Sequence, residues 1–274
     1  MTDTFEDLRI ERSDHIAEVV LDRPSKLNAV TLSMFHQLRD AFEQLDADDD
    51  VRVIILRGEG RMFTAGLDLI AAMGMLQFND PGDSPATRSR KLYELIKDLQ
   101  RTTNAIAACR HPVIAAVHGR CLGAGVDFIT ACDMRVCSAD ATFSVFETRI
   151  ALVADVGTLQ RLTGIVGKGV AREMALTGRY VGAERALRVG LVNEVHADPE
   201  ALLSGARAMA ADMAANSPLA VRGTKRVMDH SDAHGVAAGL EFVAQWNTAF
   251  LHSHDLAEAM TAFLEKRPGD YTGG

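Results

Sequence analysis

The chain has 274 residues, enough for one large domain or a domain with an appendage, and 47% hydrophobic with 24% charged residues marks a folded globular protein. A net charge of −8 excludes general nucleic-acid binding, which needs a basic face, and no apolar run reaches the roughly 20 residues of a membrane span. An anionic small ligand stays open, because a few local cations or helix-end amides suffice to bind one. The acidic start, MTDTFEDLRIERSD, and an ending, DYTGG, unlike a peroxisomal address lead us to expect a cytoplasmic protein. Cys109, Cys121, Cys132 and Cys137 form no CxxC pair and no zinc spacing with histidine, so free, mostly buried thiols are expected.

In chain order, the first half alternates strand and helix signals. His15 to Leu21 reads as a strand stopped by Arg23-Pro24, and Thr31 as the N-cap of an amphipathic helix reaching about Leu45. Val51 to Leu56 is a short apolar strand closed by Gly58-Glu-Gly60. After the DPGDSP loop, residues 80 to 85, a long helix is predicted from about Ala86 to Ala108. Pro112 to Val117 is a buried strand leading through a glycine-rich turn into an apolar helix that ends near Ala131. Met134 to Val145 and Gly190 to Val195 read as further strands, and GIVGKG, residues 164 to 169, as a helix-entry turn lacking phosphate-loop spacing. Beyond about Pro199 strand signals vanish into Ala-rich amphipathic helices. The expected organisation is an α/β core over 1–198 and a helical region over 199–274.

Two glycine turns and three acids carry the chemistry. HGRCLGAGVDF (118–128) ends a strand and enters a helix, where backbone N–H groups could hold an oxyanion; tight strand–helix packing explains the same glycines equally well. MFTAGLDL (62–69) is a second such turn, in which Asp68 is suited to cap the following helix. Asp127 stands in the first turn of the apolar helix, and Glu147 follows ATFSVF. Asp155 lies between Ile150–Ala154 and Val156–Gly157, an apolar neighbourhood in which an acid is expected to be buried. No GxSxG or HExxH motif is present.

The chain resembles the crotonase, or enoyl-CoA hydratase/isomerase, superfamily. The matching stretches are RPSKLNA (23–29), FTAGLDL (63–69), PVIAAVHGRCLGAG (112–125), ACDMRVCSADATF (131–143), GTLQRL (157–162), GLVNEV (190–195) and AFLEKR (262–267). The resemblance implies a crotonase-like α/β spiral of ββα units with a C-terminal helical trimerisation region, assembled as a trimer or dimer of trimers. It implies an acyl-CoA thioester substrate and no separate cofactor or metal, coenzyme A entering with the substrate. The backbone N–H groups of Leu67 and Ala124 fall at the oxyanion-hole positions, and Ala65, Gly66, Asp68 and Lys266 become candidate CoA contacts. The segment 71–90, with Met73, Met75, Leu76 and Phe78, would border the acyl group, although the same residues suit a helix core.

Within the family, hydratases carry glutamates at the positions of Asp127 and Glu147 and usually glycine near 155. The set Asp127, Glu147 and Asp155 instead resembles the Δ3,5-Δ2,4-dienoyl-CoA isomerases, as do GVDF, TACDMR and QWN (245–247). That resemblance implies Glu147 taking a proton at C2 and Asp127 supplying one at C6 of a dienoyl thioester, with Asp155 as their polar partner. Hydration or another enoyl-CoA isomerisation, and acyl-CoA binding without catalysis, are the competing expectations.

Overall fold

In the computed structural model, residues 2–71 and 82–274 are described. A seven-stranded sheet runs in the order β1 (Thr2–Thr4), β2 (Leu8–Ser13), β3 (Ile16–Leu21), β4 (Val53–Gly58), β5 (Val113–Val117), β7 (Met134–Ser138), β10 (Glu194–His196). The first two pairings are antiparallel and the remaining four parallel. A three-stranded sheet holds β6 (Arg120–Leu122), β8 (Thr142–Ser144) and β9 (Val181–Gly182). Consecutive strands β5 and β6, then β7 and β8, divide between the two sheets. Helix α3 (Ala124–Ala131) follows the first pair and α4 (Thr158–Thr177) the second, which is the expected repeating ββα path.

The parallel strands are apolar on both faces because both faces are covered. On one side α1 (Leu32–Asp46), α2 (Pro85–Ala108), α3 and α4 share a large core with Phe35, Phe42, Phe63 and Phe128. On the other side α6 (Pro199–Ala214) lays Leu202, Ala206, Ala210 and Ala214, one per turn, against Val53, Ile55, Ile114, Ala116 and Val136. The first helix past residue 198 therefore forms a layer of the core. Helix α5 (Ala183–Arg188) connects β9 to β10, and α7 (Pro218–His234), α8 (Val236–Phe250) and α9 (His254–Glu265) complete the chain.

Helix ends follow local chemistry closely. Thr31 Oγ1 accepts from Met34 N at 3.1 Å, and Ser84 Oγ from Thr87 N at 3.2 Å. Elsewhere the sequence reading needs correction. Met134 to Val145 is two strands, not one: a turn closed by Ala141 N to Ser138 O at 3.0 Å passes the chain from one sheet to the other. The strand expected over 190–195 is shifted to Glu194–His196, because Gly190 (φ +77°) turns Leu191 and Val192 into the core instead. GIVGKG lies within α4, where Gly167 (φ +76°, ψ 160°) breaks the helix and starts its second segment. The four cysteines are free and buried.

Candidate active site

The two glycine turns meet through backbone bridges. Thr64 N donates to Arg120 O at 2.9 Å and Leu122 N to Thr64 O at 3.3 Å, zipping the 62–69 turn onto β6. Val30 lies opposite Leu67: Val30 N donates to Gly66 O at 2.8 Å and Asp68 N to Val30 O at 2.9 Å. This pairing uses the groups on either side of Leu67. Its own N–H has no acceptor among the described residues. Ala124 opens α3, so its N–H is one of the donors that a helix start leaves free, and it too has no described acceptor.

The geometry demands glycine at two places. Gly66 has φ +88°, and a β-carbon there would lie 2.8 Å from Leu122 O; Gly123 has φ +52°. The glycines are required for different reasons: positive φ at 66 and 123, and close packing at 125. At Gly125, φ is ordinary but a β-carbon would meet Thr64 Cγ2 at 2.4 Å, which is packing. The Ala124 methyl joins the main core. Gly66→Ala is therefore expected to displace the Leu67 N–H. We expect kcat to fall at least about tenfold and the melting temperature to drop, read by steady-state kinetics and calorimetry.

A cavity of about 150 Å³ opens onto these turns, lined by Ala65, Gly66, Leu67, Gly123 and Ala124 and by all three predicted acids. Its remaining wall is apolar, including Phe35, Leu99, Phe146 and Val156. Asp127 is 2% exposed, one turn into a helix whose eight residues are all buried. Its Oδ1 accepts from Thr158 N, the first residue of α4, at 2.7 Å. Burial, with the charges of Glu147 and Asp155, pushes its carboxyl up to about 7 against hydrogen bonding from Thr158.

Glu147 begins the 3-10 turn Glu147–Ile150, and its Oε1 lies 3.4 Å from the place a Gly123 β-carbon would occupy. Its Oε2 is buried with no hydrogen-bond partner among the described residues. Burial raises this carboxyl too, and the Asp155 charge adds to the effect. An unsatisfied buried acceptor costs about 1–3 kcal/mol and is retained where it does work.

Asp155 corrects the expectation of a buried acid. Ala154 and Val156 turn inward, whereas Asp155 is exposed at the cavity and its carboxyl is raised by partial desolvation. Its loop is tied to α2: Gln100 Nε2 donates to Asp155 O at 2.8 Å, and Thr103 Oγ1 to Val156 O at 2.6 Å. The sequence reading missed both anchors.

Two residues expected at the CoA, Asp68 and Lys266, do not line this cavity of their own chain. Asp68 Oδ1 accepts from Ala71 N at 3.2 Å, capping the helical turn that begins at 69, and its Oδ2 lies 3.5 Å from Arg23. Lys266 is an exposed, left-handed C-cap of α9 and does not line the cavity of its own chain. Met73, Met75, Leu76 and Phe78 lie outside the described residues. A larger cleft, about 1130 Å³, separates the core from α7–α9; none of the predicted site residues lines it, and its Lys225–Asp133 pair is closed at 2.7 Å. Among the described residues no group of His, Cys, Asp or Glu is arranged to hold a metal, and no helix is long and apolar enough to cross a membrane.

Comparison with known proteins agrees with this arrangement. The family model described as enoyl-CoA hydratase/isomerase matches residues 11–274. The chain is 44% identical to the mitochondrial Δ(3,5)-Δ(2,4)-dienoyl-CoA isomerase of Dictyostelium discoideum, over 95% of this chain and 89% of that one. It is also 44% identical to the peroxisomal enzyme of that name from Arabidopsis thaliana, over 96% and 95%. The crystal structure of an enoyl-CoA hydratase from Bacillus anthracis superposes with a TM-score of 0.88 at 28% identity, covering 98% of this chain and all of that one. The expectation of a cytoplasmic protein does not stand, since these isomerases are named as mitochondrial and peroxisomal. With its spiral α/β core, its paired free N–H groups and a family match over nearly its full length, the chain belongs to the enoyl-CoA hydratase/isomerase family.

Proposed function

We propose that this enzyme is a dienoyl-CoA isomerase that converts a 3,5-dienoyl-CoA to the 2,4-dienoyl-CoA. The observation that carries the reading is the convergence of Asp127, Glu147 and Asp155 on one cavity with two unoccupied N–H donors. Removing a proton from C2 places enolate charge on the thioester oxygen, which Leu67 and Ala124 N–H would receive. Donors of this kind are worth about 3–4 kcal/mol each. Glu147, with its unpartnered Oε2, takes the C2 proton. Asp127, buried deeper and holding its proton up to about 7, returns one at C6. Two carboxyls in different surroundings, one bonded by Thr158 N and one with an unpartnered oxygen, thus divide the roles of base and acid. Ala65 and Gly66 would contact the thioester arm of CoA, and Lys266 the nucleotide end in a neighbouring subunit's site. No cofactor is required beyond the substrate's own coenzyme A.

Hydration uses the same scaffold but asks two glutamates to address one water. Asp127 is a methylene shorter and already engaged by Thr158 N, which disfavours it. Purified protein should convert 3,5-dienoyl-CoA rapidly to the ultraviolet-absorbing 2,4-diene and hydrate 2-enoyl-CoA slowly; efficient hydration without diene formation would overturn the reading, and binding without either reaction would leave an acyl-CoA carrier. Since Asp127 must hold its proton to donate it, kcat/KM is expected to decline as pH rises through about 7.

The exposed apolar residues of α9, Met260, Phe263 and Leu264, support a homo-oligomer, trimer or dimer of trimers. Sedimentation should return three or six times the monomer mass. Degradation of unsaturated fatty acids is the corresponding pathway role.

A further inference from the structure

Behind the three acids lies a cation that the proposed chemistry does not use. Arg161, one turn into α4, is half-buried, and its Nη2 donates to Asn104 Oδ1 at 2.8 Å. Among the described residues it forms no ion pair, although leaving a guanidinium partly desolvated and unpaired is unfavourable. Its position is tightly determined. Gly157 adopts φ +129°, and a β-carbon there would coincide with the guanidinium, 1.9 Å from Nη1. The guanidinium therefore brings its Nη1 up against Gly157, the residue immediately before Thr158, whose N–H holds Asp127. On its other side it borders the large cleft.

Asp127 is faced by Glu147 from the turn after β8, by Asp155 from the loop before α4 and by the buried Cys121 thiol from β6, which burial keeps neutral. Among the described residues, Arg161 is a cation on which the Asp127 charge acts. We propose that Arg161 is a positioning residue of the active site, a cation held behind Gly157 whose field limits how firmly Asp127 retains its proton. Burial lowers the proton affinity of Arg161, and the Asp127 charge offsets part of that loss, which is the reciprocal of the same interaction. The function follows from balance. With three carboxyls crowded together, an acid without a counter-charge would keep its proton too tightly to deliver it to carbon.

The inference rests on the isomerase reading for its meaning but is tested without turnover. The Asp127 carboxyl of the ligand-free full-length protein can be titrated by carbon-13 NMR after aspartate labelling, its signal assigned by loss in Asp127→Asn. Arg161→Gln should move the Asp127 midpoint upward by at least about half a pH unit. Arg161→Lys, which retains the charge, should leave it near the wild-type value. The alkaline limb of kcat/KM should follow both. An unmoved midpoint in Arg161→Gln, or an equal rise in Arg161→Lys, overturns the proposal and leaves Arg161 a packing residue. Should Arg161→Gln not fold, Asn104→Ala, which unties the guanidinium from an exposed partner, must raise the midpoint or the proposal fails. A wild-type protein that titrates as described but does not isomerise dienes would count against the isomerase reading alone.

Discussion

Glu147→Gln is expected to reduce kcat for diene isomerisation by about a hundred- to ten-thousand-fold, the range associated with loss of a positioned general base. The amide is the same size as the carboxylate and Oε2 has no hydrogen bond to lose, so cavity shape and thioester binding should persist. KM or a measured acyl-CoA dissociation constant should accordingly change by only a few fold. The two readouts together distinguish a lost base from a collapsed site. A variant retaining more than about a tenth of the wild-type rate would remove Glu147 from the proton path. The substitution also takes one charge from beside Asp127, which should then give up its proton more readily and shift any residual activity toward lower pH.

Why some of this site was legible in the sequence, and some not, has a physical basis. Glycine at 66 and 123 is a residue-type signal, because positive φ and backbone contact select it wherever they occur. Asp127 stood out because a helix buried on all sides leaves no solvated face for an acid. The misjudged burial of Asp155 has an instructive cause. Its apolar surroundings read as core, yet Leu152 and Val153 are themselves exposed, Val153 to 73%, and line the cavity with Ile150. A wall built to receive a ligand has the composition of a core without the burial.

Long-range anchors carry no local signature. Gln100 and Thr103 face the Asp155 loop only because α2 is set in that phase, more than fifty residues away in the chain. The N-terminal hairpin was missed for a related reason. In LRIERS only Leu8 and Ile10 turn inward, and the alternating Arg9 and Glu11 are stabilised across strands by Glu59, Asp22 and Arg57, partners the local sequence does not reveal. Asp68 shows the opposite case. Its capping role was readable from the residue type, and the structure uses it that way.

Asp127→Asn should separate activity from stability, lowering the rate while raising the melting temperature at alkaline pH. The amide has no proton to deliver to C6, so kcat is expected to fall by about a hundredfold or more. Asn keeps an oxygen able to accept from Thr158 N, so the start of α4 remains satisfied. The stability effect follows from linkage. In the unfolded chain an aspartate titrates near its ordinary value of about 3.9, whereas in the fold Asp127 is held at about 7 by burial and by its acidic neighbours. The folded state binds the proton more tightly, so the wild-type protein gains relative stability below about pH 4 and loses it progressively as pH rises from there through 7. Three pH units correspond to about 4 kcal/mol, an upper estimate for one buried and coupled carboxyl. Asn remains neutral throughout and avoids that loss. The difference in unfolding free energy between variant and wild type should therefore grow across pH 4 to 7 and level off above it, as followed by denaturant titration. A difference that is flat with pH would mean that Asp127 is ionised in the fold as readily as in the unfolded chain, and it could not then be the proton donor. Coincidence of the two transitions, the growth of relative stability and the alkaline loss of wild-type activity, would identify the proton that destabilises the fold when lost as the one that catalysis spends.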